Sequence, residues 1–231
     1  AAASALPILL VRAVPVPRGA IAAPHRRALL LRFGLIEAIF GFGAGSFLPF
    51  VNLFFADRFG VDFATLGLIL GVLAVGGSLG ALLHGIHVAP RFGDVRAVVL
   101  VQLLSVPFAL LAGIAGHALL AAASLAIRAA LMYGSASTFR AFTQSTFSPA
   151  ERAGVAAILA IAWNATAAAG SVLSGAVRGW MGDAGWTVNL VTLGVAYVVA
   201  AALTLVLFSR HEPRGDLVAG MPEGAAPDSA I

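Results

Sequence analysis

Residues 33–55, FGLIEAIFGFGAGSFLPFVNLFF, form a run of 23 residues that carries a single charge, Glu37. At roughly 1.5 Å of rise per residue, a helix of that length covers about 30 Å, the thickness of a bilayer's hydrocarbon core. Five further stretches have the same character: residues 64–87, 97–116, 118–139, 153–177 and 186–208. The pattern predicts an all-α membrane protein with six transmembrane helices.

Composition points the same way. The chain of 231 residues is 60% hydrophobic and 10% charged, with a mean hydropathy of +0.98, against about 25% charged in soluble domains. A transmembrane barrel would need alternating segments of about ten residues, whereas these runs are continuous and twice as long. The pI of about 11.0 rests on a net charge of only +4. The basic residues sit between the spans, which argues against a nucleic-acid partner.

All 14 basic residues are arginine. Counting loops alternately, one side of the membrane carries Arg12, Arg18, Arg26, Arg27, Arg32, Arg91, Arg96, Arg140, Arg152, Arg210 and Arg214, and the other carries Arg58 and Arg178. Such a bias predicts that the arginine-rich side is cytoplasmic, with both termini there, in a multi-pass protein of the cell (inner or plasma) membrane. Cysteine is absent, which excludes disulfides and thiol chemistry. The short apolar run at residues 1–10 lacks a charged leader and is followed by Pro15, Pro17 and Pro24, so it reads as the end of something longer. With no initial Met, the chain is expected to be an N-terminally truncated fragment. Residues 1–27 read as a linker, residues 28–208 as the membrane bundle, and residues 209–231, rich in Pro and Gly, as a disordered cytoplasmic tail.

Inside the spans, Gly41/Gly45, Gly67/Gly71, Gly76/Gly80 and Ser171/Gly175 each repeat at four residues. That spacing puts each pair on one helix face, where small residues let membrane helices approach closely. Pro49 and Pro107 predict kinks. Short loops, down to the single residue His117, force sequential helices to be antiparallel neighbours. Trp180 and Trp186, at span ends, read as interfacial anchors.

Glu37 and Arg128 are the two ionisable residues well inside apolar runs, and each should face protein or water. By depth, Arg128 lies near the midplane and Glu37 nearer the arginine-rich side, so Arg140, Arg152 or Arg32 match Glu37 better than Arg128 does. Glu37 is thus a candidate for coupling or gating, or for a structural ion pair, and Arg128 for solute contact or an interhelix hydrogen-bond hub. Uncharged polar groups at depth include Asn52, Gln102, Tyr133, Ser135, Thr138, Trp163, Asn164 and Thr166; Trp163–Asn164, an aromatic plate beside an amide, suits a solute cavity. His84 and His87 could share a metal by spacing, but no third ligand is near in sequence, and a pair at the membrane interface is the better reading. No cofactor, metal or enzyme motif is indicated: G-x-S-x-G, H-E-x-x-H and Walker A patterns are absent, and Gly41-Phe-Gly-Ala-Gly45 lies within a span rather than after a strand.

Taken together, GFGAGSFLPFVNLFFADRFG (41–60), RAALMY (128–133), SPAERAG (148–154) and Trp163–Asn164 resemble helix seven with its exit loop, helix ten, the helix ten to eleven loop and helix eleven of the major facilitator superfamily. The resemblance covers about residues 28–208. It implies the C-terminal six-helix bundle of that fold, a three-plus-three inverted repeat, preceded by the end of another helix and the central cytoplasmic loop, with an N-terminal six-helix half as missing partner. The loop GIHVAPRFGDVR (85–96) shares Arg91 and Gly93 with the family's gate motif, while Pro90 stands where the motif has an acid. By resemblance, Asn52, Arg128, Tyr133 and Asn164 become candidates for the solute pathway, joined by Trp163 from the residue reading, and Glu37, Arg91, Arg140, Glu151 and Arg152 are the candidates for coupling or gating. The implied activity is secondary active transport of a small solute by alternating access, with protons as a candidate coupling ion. The alternatives are a complete six-span assembly factor or membrane-embedded enzyme, and a dimeric channel.

Overall fold

The computed structural model describes residues 26–209. The linker and tail readings, with Arg12, Arg18, Arg210 and Arg214, fall largely outside the described residues. Among the described residues the structure is helical, without strands: α1 (Arg27–Gly45), α2 (Val51–Phe59), α3 (Phe63–Leu83), α4 (Ala89–Phe92), α5 (Asp94–Ile114), α6 (Ala118–Thr146), α7 (Arg152–Met181) and α8 (Ala184–Phe208). Among the described residues six helical stretches are long and apolar enough to cross a membrane, α1 with α2 and α3 with α4 each making one of them. The ends near Arg27, Phe92, Thr146 and Phe208 form the near end of the bundle, and those near Phe59, Ile114 and Met181 the far end.

Local chemistry sets the breaks. Pro49 has no N–H to give, and the chain passes from α1 to α2 through a 3-10 turn, Leu48–Phe50. α2 stops at Gly60, whose φ of 63° is left-handed and suits a residue without Cβ. Two residues later the Asp62 carboxylate accepts from the Ala64 and Thr65 amides at 2.9 and 3.0 Å and starts α3. The Thr65 amide and hydroxyl hold that carboxyl below the usual carboxylate range. α3 continues through a π turn, His84–Val88, into α4, and Gly93, φ 78°, then reverses the chain. The second span is therefore helical beyond its apolar run. α5 runs on through Pro107 as one helix.

The helices pair as a three-plus-three repeat. Glycine lets the first span meet the fifth: a Cβ at Gly45 would strike the Ala167 carbonyl, and one at Gly170 the Phe42 carbonyl. The fourth span meets the second in the same way, with Gly80 on the Ala130 carbonyl and Gly134 against His84. α5 packs on α6, and α8 on α1, while α5 and α8 close the back of the bundle against each other. Buried polar pairs stitch these contacts, with Gln102 Nε2 donating to Ser135 Oγ at 2.9 Å and Asn189 Nδ2 to Ser174 Oγ at 2.7 Å. An aromatic cluster sits at each end, Phe33 stacked on Phe208 at 4.3 Å at the near end and Phe54 edge-on to Trp186 at 5.6 Å at the far end.

Several expectations change. Gly67, Gly71 and Gly175 face open space, although their spacing matches that of the packed glycines. Trp186 is fully buried in the far-end cluster rather than anchored at an interface; Trp180 is exposed. His84 is not an interfacial residue, because α3 crosses α6 at Gly134 closely enough to bury its imidazole, with a ring nitrogen 3.0 Å from Thr138 Oγ1. His87 stays exposed.

Candidate functional site

α3 and α7 are the least covered helices: α3 buries Gly77, and α7 buries Val155, Leu159, Gly170 and Ser174, while the remainder of each is half-buried or exposed. Between these two outer helices lie α1 and α6. Of the polar residues singled out from the sequence, Glu37, Asn52, Tyr133, Trp163 and Asn164 are half-buried or exposed around this face, whereas Gln102, Ser135, Thr138 and Arg128 are buried. Tyr133 projects from α6 with 61% of its surface exposed, and one ring edge lies over Gly77, where a Cβ would come within 2.8 Å of the ring. Glycine at that position makes room for the phenol. On α7, Trp163 is half-buried with its carbonyl under Gly41. Its neighbour Asn164 is exposed and donates from Nδ2 to the Ala160 carbonyl at 2.7 Å, leaving its amide oxygen at the surface. Asn52 is exposed on α2, just past the break.

Glu37 lies on the α1 stripe that also holds Gly34 and Gly41, three residues after the first and four before the second, and both glycines contact α7. It is half-buried. The three arginines matched to it by depth are Arg32 of the same helix, Arg140 of α6 and Arg152 of α7. Arg140 itself is exposed. The arrangement can hold a negative charge, or a proton in its place, toward the near end of the open face.

Arg128 goes elsewhere. It is 5% exposed and points into the back of the bundle, where Nη2 donates to Tyr197 Oη of α8 at 3.0 Å. Its guanidinium lies 5.2 Å from the Tyr197 ring centroid, and that ring meets Phe40 of α1 edge-on at 5.0 Å. This geometry makes it a hub joining α6, α8 and α1, away from the open face. Tyr197→Phe should leave a buried guanidinium nitrogen without its acceptor and cost about 1–3 kcal/mol. Thermal unfolding of the detergent-purified protein measures it, and an unchanged midpoint would show that the hub is energetically idle.

The near-end loop is held by its own residues. Glu151 is buried and accepts from the Ser148 hydroxyl at 2.6 Å and the Ser148 amide at 3.2 Å. Arg152 is exposed and donates from Nε to the Phe147 carbonyl at 3.3 Å. Arg91 is exposed on α4. Among the described residues no group of three or more His, Asp or Glu converges as a metal site. An open apolar groove of about 530 Å³ runs between α1, α7 and α8, lined by residues such as Ile39, Phe42, Thr166 and Val195. It lies on the other side of the α1–α7 contact from Glu37 and brings no charged group to a solute.

Sequence reasoning missed Tyr197, one of two tyrosines, for which spacing gives no cue. It also missed a far-end cluster. Arg178 pairs with Asp57 at 2.9 Å, and Arg58 donates to the Gly113 carbonyl at 2.7 Å. A cue existed, because these are the two arginines on the arginine-poor side, and an acid adjoins Arg58 directly.

Compared with family models, the chain matches the Major Facilitator Superfamily over residues 33–230. A search among curated proteins returned no match.

Proposed function

The chain belongs to the major facilitator superfamily, and on that basis we propose that it is the C-terminal half of a secondary active transporter that moves a small solute by alternating access. The near end is cytoplasmic in this reading, since it carries the arginine excess. The face left open on α3 and α7 meets a second six-helix bundle, and the solute passes between the two. Asn52, Tyr133, Trp163 and Asn164 line the pathway, offering amides, a phenol and an indole but no fixed charge. Glu37 and Arg140 form the coupling or gating pair, with protons as the coupling ion. Arg128 supports the pathway from behind, and Arg91, Glu151 and Arg152 shape the cytoplasmic loops.

The observation that carries this reading is a half-buried acid, Glu37, within an apolar span of a chain that matches the family, whose solute site lies near midplane. A direct test reconstitutes the full-length protein in vesicles containing a trapped pH-sensitive dye and adds a panel of solutes one at a time. A solute that evokes proton movement across the membrane supports the proposal. Proton or ion leak that is independent of any solute points to the channel alternative.

A further inference from the structure

The far end of the first span is built as a separate piece. α2 follows the break at Leu48–Phe50, and its Phe54 and Phe55 are fully buried, with Phe54 edge-on to Phe47 on the other side of the break. Its last turn ends in two neighbouring charges that reach different helices. Asp57 Oδ2 meets Arg178 Nη2 of α7 at 2.9 Å, and the Arg178 guanidinium stacks on Trp186 of α8, 3.9 Å from the ring centroid. Arg58 Nη1 donates to the Gly113 carbonyl at the end of α5 at 2.7 Å and lies 3.4 Å from Thr187 Oγ1, with Asp183 3.9 Å away. Thr187 Oγ1 also donates to the Gly113 carbonyl, at 2.6 Å. The ends of α5, α7 and α8 are thereby tied to one turn of α2.

Both arginine side chains are mostly covered, at 17% and 24% exposed, and an arginine sheltered on an aromatic face is held more firmly than a surface ion pair. We propose that Asp57, Arg58 and Arg178 form a clasp that fixes α2 against the bundle, with Leu48–Phe50 as its hinge, and so positions Asn52 on the pathway face. Asp57, Arg58 and Arg178 are positioning residues in this scheme, since none of them reaches the pathway face itself. Releasing the clasp lets α2 swing as a unit and uncovers its own packed face, which includes Val51 in its first turn, 9% exposed. The role assigned to Asn52 rests on the transporter reading, but the motion does not, and the test is made without any solute.

The measurement is the rate at which a membrane-impermeant maleimide modifies a Val51→Cys thiol in the full-length protein in membranes. An Ala122→Cys protein serves as the control, since Ala122 of α6 is also 9% exposed and lies near the same end. With Arg178→Gln or Asp57→Asn, the rate at position 51 should rise about tenfold while that at 122 stays unchanged. The double variant should rise no further than either single one, because one pair is being broken. An unchanged rate at 51, an equal rise at 122, or additive effects in the double variant each overturn the clasp. Transport that survives a released clasp would instead remove Asn52 from the pathway and leave the hinge standing.

Discussion

Gly45→Ala is expected to break the contact between the first and fifth spans, whereas Gly71→Ala should leave the protein as it is. A Cβ at Gly45 would fall on the Ala167 carbonyl, a backbone atom that no rotamer change can move aside. On the facing helix, Gly170 sits as tightly against the Phe42 carbonyl and the Ser46 amide, so α7 has no room to slide along α1. The helices must separate, and the Ser171 hydroxyl then loses its 3.0 Å bond to the Gly45 carbonyl. Overpacking a well-filled contact costs about 1–3 kcal/mol, and a backbone-on-backbone clash belongs at the top of that range. In lipid, close packing is the main force joining helices, so little remains to compensate. Size-exclusion chromatography and thermal unfolding in detergent should show a large loss of folded protein for Gly45→Ala. At Gly71 nothing lies within 4 Å of the added Cβ. Similar losses in both variants would show that glycine acts through the backbone and not through this crossing.

The contrast between those glycines marks where sequence reading stops. Gly41/Gly45 and Gly67/Gly71 have the same spacing, and spacing fixes which face a residue occupies, not what stands opposite. The six spans were legible because bilayer thickness and hydropathy act on each segment separately. Which spans pair was not legible: short loops predict sequential neighbours throughout, whereas the first span packs on the fifth and the second on the fourth. Depth counting narrowed the cations for Glu37 to Arg140, Arg152 and Arg32, because each position can be measured from its own helix end, but it could not choose among them. It did not reach Arg128's partner, Tyr197, which arrives from a span 69 residues away at a matching level. Trp186 and His84 were misplaced for a related reason: both lie at span ends, where composition suggests lipid headgroups, and tertiary packing buries them instead.

If Glu37 couples protons to solute movement, Glu37→Gln should abolish solute accumulation driven by a pH gradient while leaving solute exchange down its own gradient intact. The amide matches the carboxyl in size and hydrogen bonding, so it keeps the packing on the α1 stripe, but it cannot take up or release a proton. Exchange needs the pathway and its conformational change; accumulation also needs the ion to be carried. Glu37→Asp keeps the proton site one methylene shorter and should retain part of the accumulation. Arg140→Gln tests the other partner. These variants separate the two roles open to Glu37. A structural ion pair would lose stability alike in Glu37→Gln and Arg140→Gln, with exchange and accumulation falling together. A coupling site loses accumulation alone, and if accumulation in Glu37→Gln matches the unaltered protein, protons are not carried at this residue.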